Sequence, residues 1–179
     1  DSLVGFDTSA YARFYAGDGQ KMATFSNNGK SVIWNISTGK ALASLQEPAL
    51  EITSTLFSRN GKIMVTLTDN GIAKAWDAVT GKQVSRLDGL SGRITSVSLS
   101  AGGEKLATCT DEHFVRTWNV RSGKLLSVTE HSNTNAERYN KIKSVSFSPD
   151  GKMLITIKIS GAVNEKSHGM NIWDVNSGK

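Results

Sequence analysis

The chain is 179 residues long, with 38% hydrophobic and 21% charged residues and a net charge of +5 from 21 basic and 16 acidic side chains. That composition excludes a disordered tail, and no apolar run approaches the length of a membrane-spanning helix, so no membrane partner is expected. A charge this modest and this scattered argues for solubility rather than for a nucleic-acid-binding stripe.

Read from the N-terminus, residues 1–3 resemble the tail of an outer strand, with Leu3 aligned to Leu45 and Leu87. The first unit then sets a pattern. A turn glycine stands in Asp18-Gly19, Trp34 follows fifteen residues on, and Gly39-Lys40 comes five residues after the Trp. The second unit repeats it with Asn60-Gly61, Trp76 and Gly81-Lys82, and the third with Gly102-Gly103, Trp118 and Gly123-Lys124. These three tryptophans are spaced 42 residues apart. In the fourth unit Asp150-Gly151 lies 22 residues before Trp173, and Gly178-Lys179 follows; Trp173 itself is 55 residues after Trp118. Asp-Gly, Asn-Gly and Gly-Gly tolerate positive φ, and they are expected to close two-residue hairpins.

Between the turns lie strand-like runs. In the third unit these are residues 94–100, with Ile94, Ser96 and Ser98 alternating against Thr95, Val97 and Leu99, then 106–110, 114–120 and 125–129. They are rich in β-branched and aliphatic residues, and no stretch holds a 3.6-residue apolar period. The expectation is an all-β, antiparallel chain with helix near zero. It forms one domain, 1–179, of four repeats near 1–40, 41–82, 83–124 and 125–179. A period near 42 residues is that of a four-stranded propeller blade. A lone blade cannot bury both faces, so blades are expected to stack around an axis with the tryptophans in the seams. The single cysteine, Cys109, lies in a strand run and is expected to be a small buried hydrophobe. With no disulfide framework, a reducing, cytoplasmic setting is expected, the nucleus remaining open.

The run SVSFSPDGK at 144–152 and the Trp-Asp signatures at 172–175 and 75–78 carry a likeness to a known family, with Trp34-Asn35 and Trp118-Asn119 as variants. On these motifs the chain resembles the WD-repeat (β-transducin-like) family of β-propellers. The resemblance implies a non-catalytic platform for protein partners. It also implies a ring of about seven or eight blades. The four blades here are therefore expected to be part of a larger propeller; a dimer forming an eight-bladed ring, or a small ring closed by residues 1–4, are the alternatives. The last blade should have three strands of its own. The family's Gly-His pair maps to Gly5-Phe6, Glu47-Pro48, Gly89-Leu90 and Glu130-His131, and its turn Asp to Asn28, Asn70 and Glu112. The family's full His, Asp, Ser/Thr and Trp hydrogen-bond network is thus missing, and apolar seams are expected to supply most of the stability.

The fourth unit's extra residues fall in two connections of one face, 131–141 and 158–169. Insertions clustered on one face of a repeat protein often mark its binding face. Arg138, Tyr139, Lys141, Lys158, Glu165, Lys166 and His168 are therefore the candidate partner site, with Tyr and Arg suited to interface hot spots. A second candidate is the channel mouth, where Ser9, Glu51, Arg93 and Lys141 each precede an innermost strand.

Other chemistry is set aside. Gly29-Lys30-Ser31 lacks the earlier glycine and following helix of a phosphate loop. His113, His131 and His168 have no neighbouring ligand at metal spacing, and no Gly-x-Ser-x-Gly elbow occurs. The Asn35-Ile36-Ser37 sequon matters only in a secreted protein. No cofactor and no metal are expected. A nucleic-acid-binding propeller using the basic stretch 138–143 is the first rival reading. A hydrolase or lyase is the second; Glu51 is the one acid it could place in the channel.

Overall fold

The computed structural model describes residues 10–26, 31–45, 52–68, 71–90, 92–111, 114–130, 141–160 and 167–178. Among them there is no helix, and the fifteen strands form four antiparallel sheets, each with its strands in sequence order. The first holds β1 (Ala10–Tyr15), β2 (Lys21–Ser26), β3 (Ser31–Asn35) and β4 (Ala41–Leu45). The second holds β5 (Ile52–Phe57), β6 (Ile63–Thr68), β7 (Ala73–Asp77) and β8 (Gln83–Leu87), and the third β9 (Ile94–Leu99), β10 (Lys105–Thr110), β11 (Phe114–Asn119) and β12 (Leu125–Glu130). The fourth has three strands, β13 (Lys141–Phe147), β14 (Met153–Ser160) and β15 (Ser167–Asp174), as expected. These sheets have the form of propeller blades, and no ring closure is seen among the described residues, consistent with a partial propeller.

The turn glycines are where the periodicity placed them, but the loops are longer than the dipeptides suggested. Ala16 donates its N–H to the carbonyl of Lys21 at 2.9 Å, and Gly19 donates to Ala16 at 3.0 Å. That makes a four-residue loop, 17–20, built on an i to i+3 turn with Gly19 at φ 68°. The turn after each of the first three tryptophans is also four residues: Asp77 N–H, for example, reaches the Lys82 carbonyl at 2.9 Å, and Gly81 sits at φ 70°. A turn in the right-handed region splays a hairpin, and one left-handed glycine at its end restores the strand twist. The two turns of each sheet are tied together. Ile36, Ala78, Val120 and Val175 donate their N–H groups to Gln20, Lys62, Glu104 and Lys152.

Each sheet carries a bulge near the start of its innermost strand. In the third, Ile94 pairs with Thr110 but Ser96 with Cys109, leaving Thr95 unpaired. The extra residue turns Ile94 to the side of Val97 and Leu99, so the simple alternation across 94–100 is corrected: all three pack into one cluster.

The core is a series of seams between sheets. Ala23, Phe25 and Ile33 of the first pack against Met64, Trp76 and Ala78 of the second. Val65, Leu67 and Ala75 of the second meet Leu106, Trp118 and Val120 of the third. Ala107, Cys109 and Val115 of the third meet Ile142, Val145 and Leu154 of the fourth. Cys109 is fully buried, as expected, and burial pushes its thiol pKa up. Polar links stitch the same seams. Arg59 N–H donates to Ala101 at 3.1 Å, and Val145 and Phe147 N–H donate to Ser96 Oγ at 3.1 Å and Ser98 Oγ at 3.3 Å.

The tryptophans are more than seam fillers. Each indole N–H donates to a threonine one strand inward in its own sheet: Trp34 to Thr24 at 2.8 Å, Trp76 to Thr66 at 3.0 Å, Trp118 to Thr108 at 3.1 Å and Trp173 to Thr156 at 3.0 Å. The packing is therefore not purely apolar; one indole–threonine hydrogen bond recurs in every sheet, buried in the first three and part-buried in the fourth.

Candidate interaction surface

The fourth sheet brings part of the predicted site together through strand register. Lys141 pairs with Ile159, and Ile159 with His168; one step on, Ile142 pairs with Lys158 and Lys158 with Gly169. The backbones of Lys141, Lys158 and His168 therefore lie side by side at one end of the sheet. Lys141, which follows 131–140 in the chain, and the Ser160–Ser167 pair, which bounds 161–166, lie at that same end. Two sequence assignments need correction here. Lys158 and His168 are strand residues, because the period-two run Ile155, Ile157, Ile159 carries the β14–β15 hairpin three residues further, to the Ser160–Ser167 pair. Lys141 is the first residue of β13 rather than the residue before it.

Lys158 is half-buried. Its stem runs so close to Gly169 that a Cβ there would stand 2.9 Å from Cε, which is why a side chain opposite would displace the lysine. The stem covers backbone while the ammonium is free to reach water. Arg93 is exposed and directly precedes β9, the strand next to β13. Asp111 holds it there: Arg93 N–H donates to Asp111 Oδ1 at 2.9 Å, and Asp111 N–H donates back to the Arg93 carbonyl at 3.0 Å. Arg93 and Lys141 thus open neighbouring inner strands. Arg138, Tyr139, Glu165, Lys166, Glu51 and Ser9 lie outside the described residues, as do Asn28, Asn70, Glu112, His113 and His131. Among the described residues no group of three or more His, Cys, Asp or Glu could hold a metal ion.

The opposite end, where the glycine turns lie, holds a groove that the sequence reading missed. A cavity of about 520 Å³ opens between the second and third blades, and Lys62, Asp77, Glu104, Asn119 and Arg121 are among the residues that line it. Both signs of charge face it. Asp77 accepts from the N–H groups of Thr80 at 2.8 Å and Val79 at 2.9 Å. The Thr80 bond is the chief cause holding its carboxyl below the usual range; burial opposes it, and the Val79 bond adds to it. Asn35 and Asn119 accept from Thr38 and Ser122 in the same way, so Trp-Asp and Trp-Asn are interchangeable here: the turn needs an acceptor oxygen, not a charge. Turn-forming acids and amides at a fixed offset from each Trp were the available signal for this groove.

The model of the WD domain, G-beta repeat, matches residues 81–119, from the turn glycine of the second blade to the end of β11. No curated protein matches the chain. Residues 81–119 are a WD repeat, and the same turns, bulges and indole–threonine bond in all four sheets are consistent with the WD-repeat family for the chain.

Proposed function

We propose that this chain, residues 1–179 as one propeller segment with repeats near 1–40, 41–82, 83–124 and 125–179, is a non-catalytic scaffold within a larger regulatory or signalling protein of the cytoplasm. The observation that supports the reading is that Lys141, Ser160 and Ser167, the strand residues that bound 131–140 and 161–166, lie at one end of the fourth sheet, where Arg93 opens the neighbouring inner strand. A rigid sheet presenting adjacent loops is how a scaffold offers recognition without rearranging. Arg138 and Tyr139 are the proposed anchors, with Lys141, Lys158, Glu165, Lys166, His168, Arg93 and Glu51 as the surrounding polar rim.

The experiment is photo-crosslinking in cell extract, with a crosslinking residue placed in 161–166, followed by affinity measurement on the captured protein. Alanine at Arg138 and Tyr139 together should weaken binding at least about a hundredfold, or roughly 3 kcal/mol. Unchanged affinity removes the reading. Capture of RNA instead, with steep salt dependence lost on charge reversal at Lys141 and Lys143, replaces it with the nucleic-acid reading.

A further inference from the structure

The turn end of the sheets holds most of the chain's excess positive charge. Its described turn residues are 16–21, 35–41, 58–63, 77–83, 100–105, 119–125, 148–153 and 174–178, and they carry nine basic and five acidic side chains, against a net charge of +5 for the whole chain. Four of the acids serve the turns themselves: Asp18, Asp77, Asp150 and Asp174 each accept a backbone N–H two residues on. Lys40, Lys62, Lys82, Arg121, Lys124 and Lys152 are exposed.

Within this end, the cavity of about 520 Å³ between the second and third blades owes its access to one residue. Before the inner turn glycine the other sheets have Asp18, Asn60 and Asp150, whose side chains fold back onto the N–H groups of Gln20, Lys62 and Lys152 at 2.9, 3.1 and 3.0 Å. The third sheet has Gly102 there, at the cavity wall. A Cβ on Gly102 would meet nothing closer than Glu104 Cγ at 3.8 Å, and its φ lies outside the left-handed region. The space is thus open because a side chain is missing, not because the backbone departs from the repeat. Ile63, Val84 and Val120 give the cavity an apolar floor, and Lys62 and Arg121 line it beside Asp77, Glu104 and Asn119.

We propose that this groove is a second binding site, and that its occupant is an extended peptide segment of a partner with an aliphatic side chain flanked by Asp or Glu. The aliphatic group covers the floor of Ile63, Val84 and Val120, and the flanking carboxylates meet Lys62 and Arg121. The excess positive charge of the whole end draws such a segment in and disfavours a basic one. The two acids in the groove separate a peptide from a nucleic acid. Asp77 and Glu104 are acceptors for peptide N–H groups, and they repel a phosphate backbone, which offers no donors. The site lies at the end opposite the fourth-blade connections and stands independently of any partner bound there.

The test is fluorescence anisotropy of a labelled peptide, Glu-Asp-Glu-Leu-Asp-Glu-Asp, titrated with the 179-residue chain at low salt. Binding should fall on the order of 10–100 µM. Gly102→Asp installs the residue found at 18 and 150; it should leave Tm unchanged and weaken the peptide at least about tenfold, by filling the groove and adding a like charge. Arg121→Glu should also weaken it about tenfold, whereas Lys40→Glu, the same change in net charge made in the first blade, should stay within about twofold. Serine in place of the peptide's leucine should lose roughly tenfold. No binding up to about 1 mM peptide overturns the proposal. So does an affinity that Gly102→Asp leaves unchanged in a folded protein, or an equal loss from Arg121→Glu and Lys40→Glu, since the attraction is then diffuse. An oligodeoxythymidylate that binds as tightly as the peptide overturns it in favour of a phosphate backbone.

Discussion

The threonine under each indole is the residue with the most leverage for its size. Thr108 is wholly buried, and its hydroxyl takes the Trp118 N–H. Thr108→Val keeps the volume and orphans a buried donor, so it should cost about 1–3 kcal/mol in urea unfolding, while Thr108→Ser should retain most of the stability. The bond was within reach of the sequence, because a Thr stands ten residues before Trp34, Trp76 and Trp118. The offset is not constant, however, because in the fourth blade the longer hairpin moves the Thr to seventeen residues away, and threonine is common in every strand run. Asp77 gives a pH prediction. Its carboxyl is depressed in the folded protein, so the stability it contributes is full above the ordinary carboxylate range and is lost as pH falls through the lowered value. Asp77→Asn should hold stability at neutral pH within about 0.5 kcal/mol and flatten the acid limb of a Tm-against-pH curve, because Asn119 performs the same turn uncharged. Cys109 should react with a thiol reagent only at the rate of unfolding, since it is buried and its pKa is raised.

At the level of turns and strands, two glycines of nearly equal φ should behave differently. Gly19 has φ 68° and nothing within 4 Å of where a Cβ would stand. Gly81 has φ 70°, and a Cβ there would stand 2.6 Å from the Cβ of Ala43 in the preceding blade. Gly19→Ala should cost about 1 kcal/mol, the strain of a left-handed alanine alone. Gly81→Ala adds a collision between blades and should cost about 2–4 kcal/mol, read from the midpoint of denaturant unfolding. Strand identity and turn position were legible because both follow from local chemistry: β-branched runs and residues that tolerate positive φ. Loop length and the bulges were not, since they depend on the twist of two paired strands. The bulge at Thr95 moves Ile94 to the other face without any mark in composition. Likewise, the hairpin extension to Ser160 and Ser167 was hidden because Lys158 and His168 look like loop residues when read singly.

Across the whole molecule, stability resides between sheets as much as within them. Trp118 sits in the middle seam, against Val65, Leu67 and Ala75, so Trp118→Ala should cost about 3–5 kcal/mol and unfold the second and third blades together by hydrogen exchange. The stacking of sheets was legible from a 42-residue period, and so was the three-stranded last blade. The groove at the turn end was not, because it is made by Lys62 and Asp77 of one sheet and Glu104 and Arg121 of the next, which no single repeat displays. The seams run from each sheet to the following one, and this serial arrangement sets how the molecule yields. Held by its two ends and stretched, it should lengthen in separate jumps of some forty residues, starting at whichever terminal sheet is least clasped, like a zipper opened tooth group by tooth group.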